Sequence, residues 1–177
     1  MNSKNVALSA VSAGLVALFL LAGAYFEMAD VFTVVIASVF VLLPLYYNSY
    51  KGSLLAYLVG GVVGFICSGF NIMSLVFPAY FAFFGIYPIV KFLFLKKNVN
   101  RIFSFIVGVA WLIAVSIGLY FYYTAFMGIA VDDLPQWIAD YVILFVIALA
   151  VVFFVVFDMF LIVVRRVLDY YLRRIIK

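Results

Sequence analysis

The stretch Lys91-Phe-Leu-Phe-Leu-Lys-Lys-Asn-Val-Asn-Arg101 organises the sequence around it. It places four cations within eleven residues of a chain that is 71% hydrophobic and only 10% charged. Such a cluster cannot lie in hydrocarbon, and an excess of lysine and arginine marks a loop that faces the cytoplasm. The stretch therefore predicts the orientation of the helices on either side. It also separates a first part rich in glycine, proline and small residues from a second part with two long, bulky helices.

The composition of the whole chain indicates an integral membrane protein. The 177 residues include 20% aromatic side chains, and eleven basic and seven acidic side chains are too few to cover a water-facing surface. The apolar segments are long and lack the alternation of a β-barrel, which favours α-helices that satisfy their own backbone hydrogen bonds. We therefore expect one all-α, polytopic membrane domain over residues 1–177.

Apolar segments separated by polar turns predict six transmembrane helices. The first five span about 6–26, 31–45, 54–67, 72–95 and 102–123, and the sixth begins near 137 and runs past 165. The apolar run over residues 54–95 is about twice as long as a helix that crosses the hydrocarbon once. The chain must fold back within this run, and we place the corner at Ser68-Gly-Phe-Asn71.

The distribution of charge tests this scheme, because the charges played little part in drawing most helix limits. The eleven cations all fall on one side of the predicted bundle: Lys4, Lys51, Lys91, Lys96, Lys97, Arg101, Arg165, Arg166, Arg173, Arg174 and Lys177. Five of the seven acidic residues fall on the other side: Glu27, Asp30, Asp132, Asp133 and Asp140. The positive-inside bias then predicts a multi-pass protein of the cell membrane with both termini cytoplasmic.

The residue inventory argues against enzymatic and metal-dependent functions. The chain has no histidine and a single cysteine, Cys67. It also lacks a phosphate-cradling Walker loop, and it has no serine beside a histidine or lysine base. We therefore expect no enzyme, no cofactor, no metal site and no nucleic-acid partner.

Small residues recur at four-residue spacing on the first and third predicted helices. On the first helix, Ser9, Ala13 and Ala17 form one row, and Ala10 and Gly14 form another. Small side chains let helices approach closely in lipid, so these rows predict either internal packing or a docking face for another membrane subunit. The similar row on the third helix favours internal packing; it comprises Ala56, Gly60, Gly64 and Ser68.

Two features of the fourth and sixth predicted helices suggest a specialised interior. Pro78 and Pro88 predict kinks in the fourth helix, and kinked helices often line a cavity. Asp158 lies within the apolar sixth helix, and Lys91 near the inner end of the fourth helix is its natural partner. We prefer a structural ion pair, and the alternative is a proton or ion site.

The outer side and the C-terminal tail offer two further candidate surfaces. The tail over residues 166–177 has the pattern of a basic amphipathic helix, which predicts contact with anionic lipid or with a cytoplasmic partner. Polar and aromatic residues on the outer side predict either an interfacial belt or the mouth of a ligand pocket. The candidate ligand-binding residues are Tyr25, Glu27, Asp30, Asn71, Tyr80, Trp137 and Asp140.

These features together resemble the substrate-binding S components of energy-coupling factor vitamin transporters. The resemblance rests on the small-residue rows of the first helix, on Leu58-Val-Gly-Gly-Val-Val-Gly64, and on Phe83-Phe-Gly-Ile-Tyr-Pro-Ile-Val-Lys91 before the basic loop. It implies that the first helix docks on a transmembrane coupling subunit attached to two ABC-type ATPases. It also implies that a small, vitamin-like molecule is captured in the outer half. Two alternatives remain: a membrane scaffold or assembly subunit without a ligand, and a self-contained small transporter or channel.

Overall fold

The computed structural model describes residues 3–47, 49–127 and 141–175, which are helical apart from short turns and contain no strand. The α-helices are α1 (Ser3–Tyr25), α2 (Asp30–Tyr46), α3 (Tyr50–Cys67), α4 (Val76–Ala79), α5 (Tyr87–Lys96), α6 (Arg101–Met127) and α7 (Val142–Ile175). A 3-10 turn, Glu27–Ala29, precedes α2, and a π-helical segment, Tyr80–Phe84, joins α4 to α5. Helices α4 and α5 therefore belong to one span, Val76–Lys96, which we call the central span.

Five of these helical spans are long and apolar enough to cross a membrane, and α2 is a shorter apolar helix of 17 residues. The protein is therefore an all-α, multi-pass membrane protein, as its sequence predicted. The predicted order of six apolar helices is also confirmed over the described part of the chain. The N-terminal part of the sixth predicted helix, before residue 141, lies outside the described residues.

Two predicted helix boundaries were wrong because the turns beside them differ in length from the prediction. The turn after α2 is shorter than predicted, since Ser49 Oγ accepts a hydrogen bond from the Gly52 N–H at 3.2 Å and α3 begins at Tyr50. The central span begins later than predicted, because Gly69 and Phe70 adopt positive φ angles of 71° and 57° and the chain turns until Val76. The basic tail is not separate from the sixth helix, because α7 continues through Ile175.

The first three helices form a tightly packed unit in which α1 contacts both α2 and α3. Glycines of α3 make the close approach possible. A Cβ added to Gly60 would lie 2.7 Å from Val16 Cβ and 2.9 Å from the Ala13 carbonyl oxygen. A Cβ on Gly64 would lie 3.3 Å from the Ala17 carbonyl oxygen. The backbones of α1 and α3 are therefore in contact along this line, as small-residue packing in lipid predicts.

The central span packs against α2 on one side and α6 and α7 on the other. Its π-helical segment contains the Gly85 N–H to Tyr80 carbonyl hydrogen bond, at 2.8 Å. The Phe81 carbonyl oxygen within this segment accepts a hydrogen bond from the Tyr57 hydroxyl at 2.9 Å. Pro88 lies in the first turn of α5, where its missing N–H leaves no intrahelical bond unmade. The irregularity predicted from the prolines is thus a π-helical segment, after which a new α-helix, α5, begins.

The described cations gather at one end of the bundle, which we call the basic end. Lys96 at the end of α5 lies 4.7 Å from the centroid of the Tyr50 ring at the start of α3. Arg165 of α7 lies 5.7 Å from the centroid of the Phe92 ring of α5. The opposite end is tied together by the Tyr122 hydroxyl of α6, which donates to the Ile72 carbonyl at 2.6 Å. Consecutive spans therefore run antiparallel, and α1 starts at the end where α7 carries its arginines.

Candidate functional site

A cavity of about 770 Å³ opens at the basic end, where the central span, α6 and α7 meet, and we call it the basic cavity. Most of its wall is apolar, with side chains from all three of these spans: Pro88, Phe92, Leu95, Ile102, Phe105, Val155, Met159, Leu161 and Ile162. Its charged lining, within the described part of the chain, consists of four cations and one carboxylate: Lys91, Arg101, Arg165, Arg166 and Asp158. The cavity thus joins a large apolar surface to a cationic region.

The polar groups lie at two depths along α7. Asp158 precedes Arg165 by seven residues, a helical rise of about 10 Å. Lys91 lies five residues before the end of α5, whereas Arg101 is the first residue of α6. Arg101, Arg165 and Arg166 therefore surround the mouth, and Lys91 and Asp158 lie deeper.

The deeper polar group is an ion pair between Lys91 and Asp158, whose side chains are 13% and 17% exposed. The Lys91 ammonium donates to Asp158 Oδ1 and also to the Asp158 backbone carbonyl, at 3.3 Å. The Tyr87 hydroxyl donates a further hydrogen bond to Asp158 Oδ1, at 2.9 Å. Two donors from α5 therefore hold one carboxylate of α7. This is the partnership that the sequence suggested for Asp158.

An aromatic cluster closes the cavity on the side away from the basic end. Phe83 stacks on Tyr87 with ring centroids 4.8 Å apart, and the Tyr87 and Phe154 centroids are 5.5 Å apart. Phe105, which lines the cavity, meets Phe154 edge-on at 5.3 Å. Gly108 of α6 lets these rings approach, since a Cβ there would lie 2.9 Å from Tyr87 Cε2. The three spans are thus tightly packed beside the cluster and separate towards the basic end.

Neither cavity of the described part of the chain is lined by two or more of the residues predicted for an outer ligand site. Tyr80, which the sequence suggested as a ligand-binding residue, is fully buried, and its hydroxyl donates to the Tyr57 carbonyl at 3.3 Å. Asn71 Oδ1 accepts the Ser74 N–H at 3.2 Å and shapes the turn before α4. A side chain that completes a turn in this way has a structural role.

The other described outer residues lie at the ends of α1 and α2. Tyr25 is 65% exposed at the end of α1. Glu27 begins the 3-10 turn, and Asp30 begins α2 and is not among the residues that line the basic cavity. Trp137 and Asp140 lie outside the described residues. A smaller apolar cavity of about 220 Å³ near the Ile72 turn contains none of the predicted residues; it is lined by Phe65, Ile72, Phe77, Pro78, Phe81 and Tyr122.

The predicted docking face of the first helix divides into an inner and an outer row. Ser9, Ala13 and Ala17 are buried, and α3 covers this row through its glycines. Their assignment to an external docking face is therefore corrected, because they pack within the protein. Ala10 and Gly14 face outward, and a Cβ added to Gly14 would meet nothing within 4 Å.

Sequence reasoning treated the arginines of the cavity mouth as orientation signals and as part of a basic tail, and it did not bring Arg101 together with Arg165 and Arg166. Arg101 begins α6, whereas Arg165 and Arg166 lie more than sixty residues later on α7. No spacing within one helix relates these positions. Their convergence depends on how α6 and α7 pack against α5, so a local motif would not have revealed it.

The fold defines a class: an all-α, multi-pass membrane protein, with the basic cavity between three of its spans. Comparison with known proteins adds no narrower assignment, since no family model, curated protein or solved structure matches the chain significantly. Its function is therefore inferred from its own residues and their geometry.

Proposed function

We propose that this protein is a ligand-binding subunit of a bacterial cytoplasmic membrane, and that its ligand occupies the basic cavity. The observation that carries this proposal is the cavity itself. Its volume of about 770 Å³ falls within the range of ligand sites. Its apolar wall with a few convergent polar groups also has the usual anatomy of a site for small molecules.

The surroundings of the cavity favour a binding role because its polar groups are fixed in place. The Tyr87 hydroxyl and the Lys91 ammonium both hold Asp158, and the aromatic cluster packs beside them. A ligand entering such a site needs little rearrangement of the wall, which lowers the entropic cost of binding. The proposal relocates the ligand from the outer side, where the sequence suggested it, to the basic end.

Filling the cavity should remove the bound molecule without unfolding the protein. Ser104 lines the cavity from the first turns of α6, whereas Ala110 is exposed on the same helix. We expect Ser104→Phe to abolish co-purification of a ligand, because its ring occupies the ligand's volume, and Ala110→Phe to retain it. Mass spectrometry of small molecules and lipids released from each gently extracted protein measures this difference. Equal recovery from both variants would place the ligand elsewhere.

A second candidate function is the substrate-binding subunit of an importer of the energy-coupling factor type. The outward row Ala10 and Gly14 supports it, since small exposed residues offer a close helix contact to a transmembrane coupling subunit. This candidate would place the two ABC-type ATPases in the same complex. Its substrate would be a small, vitamin-like molecule. The two alternatives to this candidate are a scaffold subunit without a ligand and a self-contained transporter.

A bulky residue on the outward row tests the importer candidate. We expect Gly14→Leu to release a coupling subunit and its ATPases from the tagged protein in a gentle detergent pull-down, because leucine prevents close helix approach. Gly118→Leu is the matched control, since a Cβ on Gly118 also meets nothing within 4 Å. Ala13→Leu and Ala17→Leu are unsuitable, because both positions are buried. Purification of the wild-type protein without ATPases would contradict this candidate.

A further inference from the structure

We propose that the occupant of the basic cavity is an anionic phospholipid of the cytoplasmic leaflet. Its phosphate would lie between Arg101 and Arg166, and an acyl chain would follow the wall formed by α6 and α7. This inference rests on the proposed function, because it requires that the cavity is a binding site. It adds the chemical class of the ligand and the direction from which it enters.

The charge balance of the cavity calls for an anion. Among the lining side chains that the structure describes, four are cations and one is a carboxylate, and Lys91 is already paired with that carboxylate, Asp158. Arg101 and Arg166 are exposed at the mouth, so a negative group there would meet two cations from separate helices. Arginine guanidinium groups bind phosphate well, because their planar donors form paired hydrogen bonds with phosphate oxygens.

The wall of the cavity calls for an apolar chain on the same molecule. Several residues that line the cavity have a large exposed fraction and belong to helical spans that are long and apolar enough to cross a membrane. Met159 is 64% exposed, Ile102 is 68% exposed and Val155 is 37% exposed. The cavity is therefore open sideways to lipid as well as at its cationic mouth. A free anion would leave this apolar surface uncovered, whereas a phospholipid covers it with a chain that enters from the bilayer.

The position of the cavity selects the leaflet. The basic end faces the cytoplasm by the positive-inside bias. The cytoplasmic leaflet carries anionic lipids, and basic pockets between transmembrane helices on that side bind their head groups. The Phe92 ring, which lines the cavity, lies beneath the Arg165 guanidinium and keeps a third cation beside the mouth.

The experiment compares lipid retention by native mass spectrometry of the full-length protein in detergent. Phosphatidylglycerol and phosphatidylcholine with identical acyl chains are titrated separately. The test variant is Arg101→Gln with Arg166→Gln. The control, Lys51→Gln with Lys97→Gln, removes the same charge from exposed positions of the basic end that do not line the cavity. We expect the test variant to bind phosphatidylglycerol about tenfold more weakly, and the control to change binding less than about twofold.

The other outcomes overturn the proposal in distinguishable ways. Equal retention of both lipids, or equal losses in both variants, would show that the head group is not recognised at the mouth. Displacement of the lipid by inorganic phosphate alone would identify a free anion as the ligand. If Ser104→Phe removes some other molecule while phosphatidylglycerol shows no preference, the cavity remains a binding site and only the lipid assignment fails. If nothing is lost from Ser104→Phe, both proposals fail.

Discussion

Replacing Asp158 with asparagine should lower the free energy of unfolding by about 3–5 kcal/mol, the largest effect expected for any single polar substitution in this protein. The substitution leaves the Lys91 ammonium, which is 13% exposed, beside a neutral amide. An uncompensated charge is expensive in a poorly hydrated region, and within the bilayer its alternatives are few. The Tyr87 hydroxyl also loses an ionised acceptor.

A double-mutant cycle separates the loss of the pair from the cost of an orphaned charge. Lys91→Met alone leaves the carboxylate unpaired and should also destabilise the protein. Lys91→Met combined with Asp158→Asn removes both charges, and it should recover most of the stability, because replacing a buried pair by neutral groups is often nearly neutral. Reversible unfolding in mixed micelles measures the free energy of unfolding of the three variants and of the wild-type protein.

The same cycle decides between the structural and ion-binding interpretations of Asp158. A structural pair predicts that Asp158→Asn exposes Lys91 to amine-labelling reagents, because Asp158 supplies both of its described hydrogen-bond acceptors. Unchanged stability together with unchanged Lys91 labelling would contradict the structural pair. It would leave a proton or ion site as the explanation for a carboxylate at this depth.

Replacing Gly60 with alanine should lower the free energy of unfolding by about 2–3 kcal/mol, although it adds a single methyl group. The new Cβ would lie 2.7 Å from Val16 Cβ and 2.9 Å from the Ala13 carbonyl oxygen. Neither atom is the end of a flexible side chain, so α1 and α3 must move apart. That movement loses packing along the whole interface, which in lipid is a main source of helix association.

Two other glycines of the same helices provide graded controls. A Cβ at Gly64 has its nearest contact at 3.3 Å, so Gly64→Ala should cost less than about 1 kcal/mol. A Cβ at Gly14 meets nothing within 4 Å, so Gly14→Ala should be neutral or stabilise the helix by about 0.5–1 kcal/mol. The same unfolding measurement ranks the three variants. Similar costs at Gly60 and Gly14 would contradict the close α1–α3 contact.

The two large effects concern opposite ways of joining helices in a membrane. The Gly60 contact depends on shape complementarity, because moving an apolar side chain from lipid into a helix interface gains little free energy. The Lys91–Asp158 pair depends on polarity, because each charge lacks water as an alternative partner. The pair joins α5 to α7 beside the basic cavity, so its loss should also disturb the cavity wall.

The sequence by itself determined the class of protein and the order of its helices, and it predicts their orientation. Each of these properties belongs to individual segments: a stretch is long and apolar enough to span hydrocarbon, or its flanking cations keep one end in the cytoplasm. The partnership of Lys91 with Asp158 was also accessible, because few charges lie within the spans and both lie near the same membrane surface.

Only the tertiary structure decided which helix faces meet. Ser9, Ala13 and Ala17 have the same spacing and size as Ala10 and Gly14, yet one row is buried and the other faces outward. In a soluble protein a polar face would have distinguished them, but a helix that is apolar on all sides carries no such mark.

The basic cavity could not be predicted either, because its prediction also requires knowing which helix faces meet. Its arginines come from separate helices, and their meeting depends on the rotation and separation of α5, α6 and α7. Contacts among glycines and aromatic rings set that arrangement, through shape complementarity between residues distant in the chain. The hydropathy of a segment predicts whether it lies in lipid or in water. The contacts of each side chain are decided only when the helices pack.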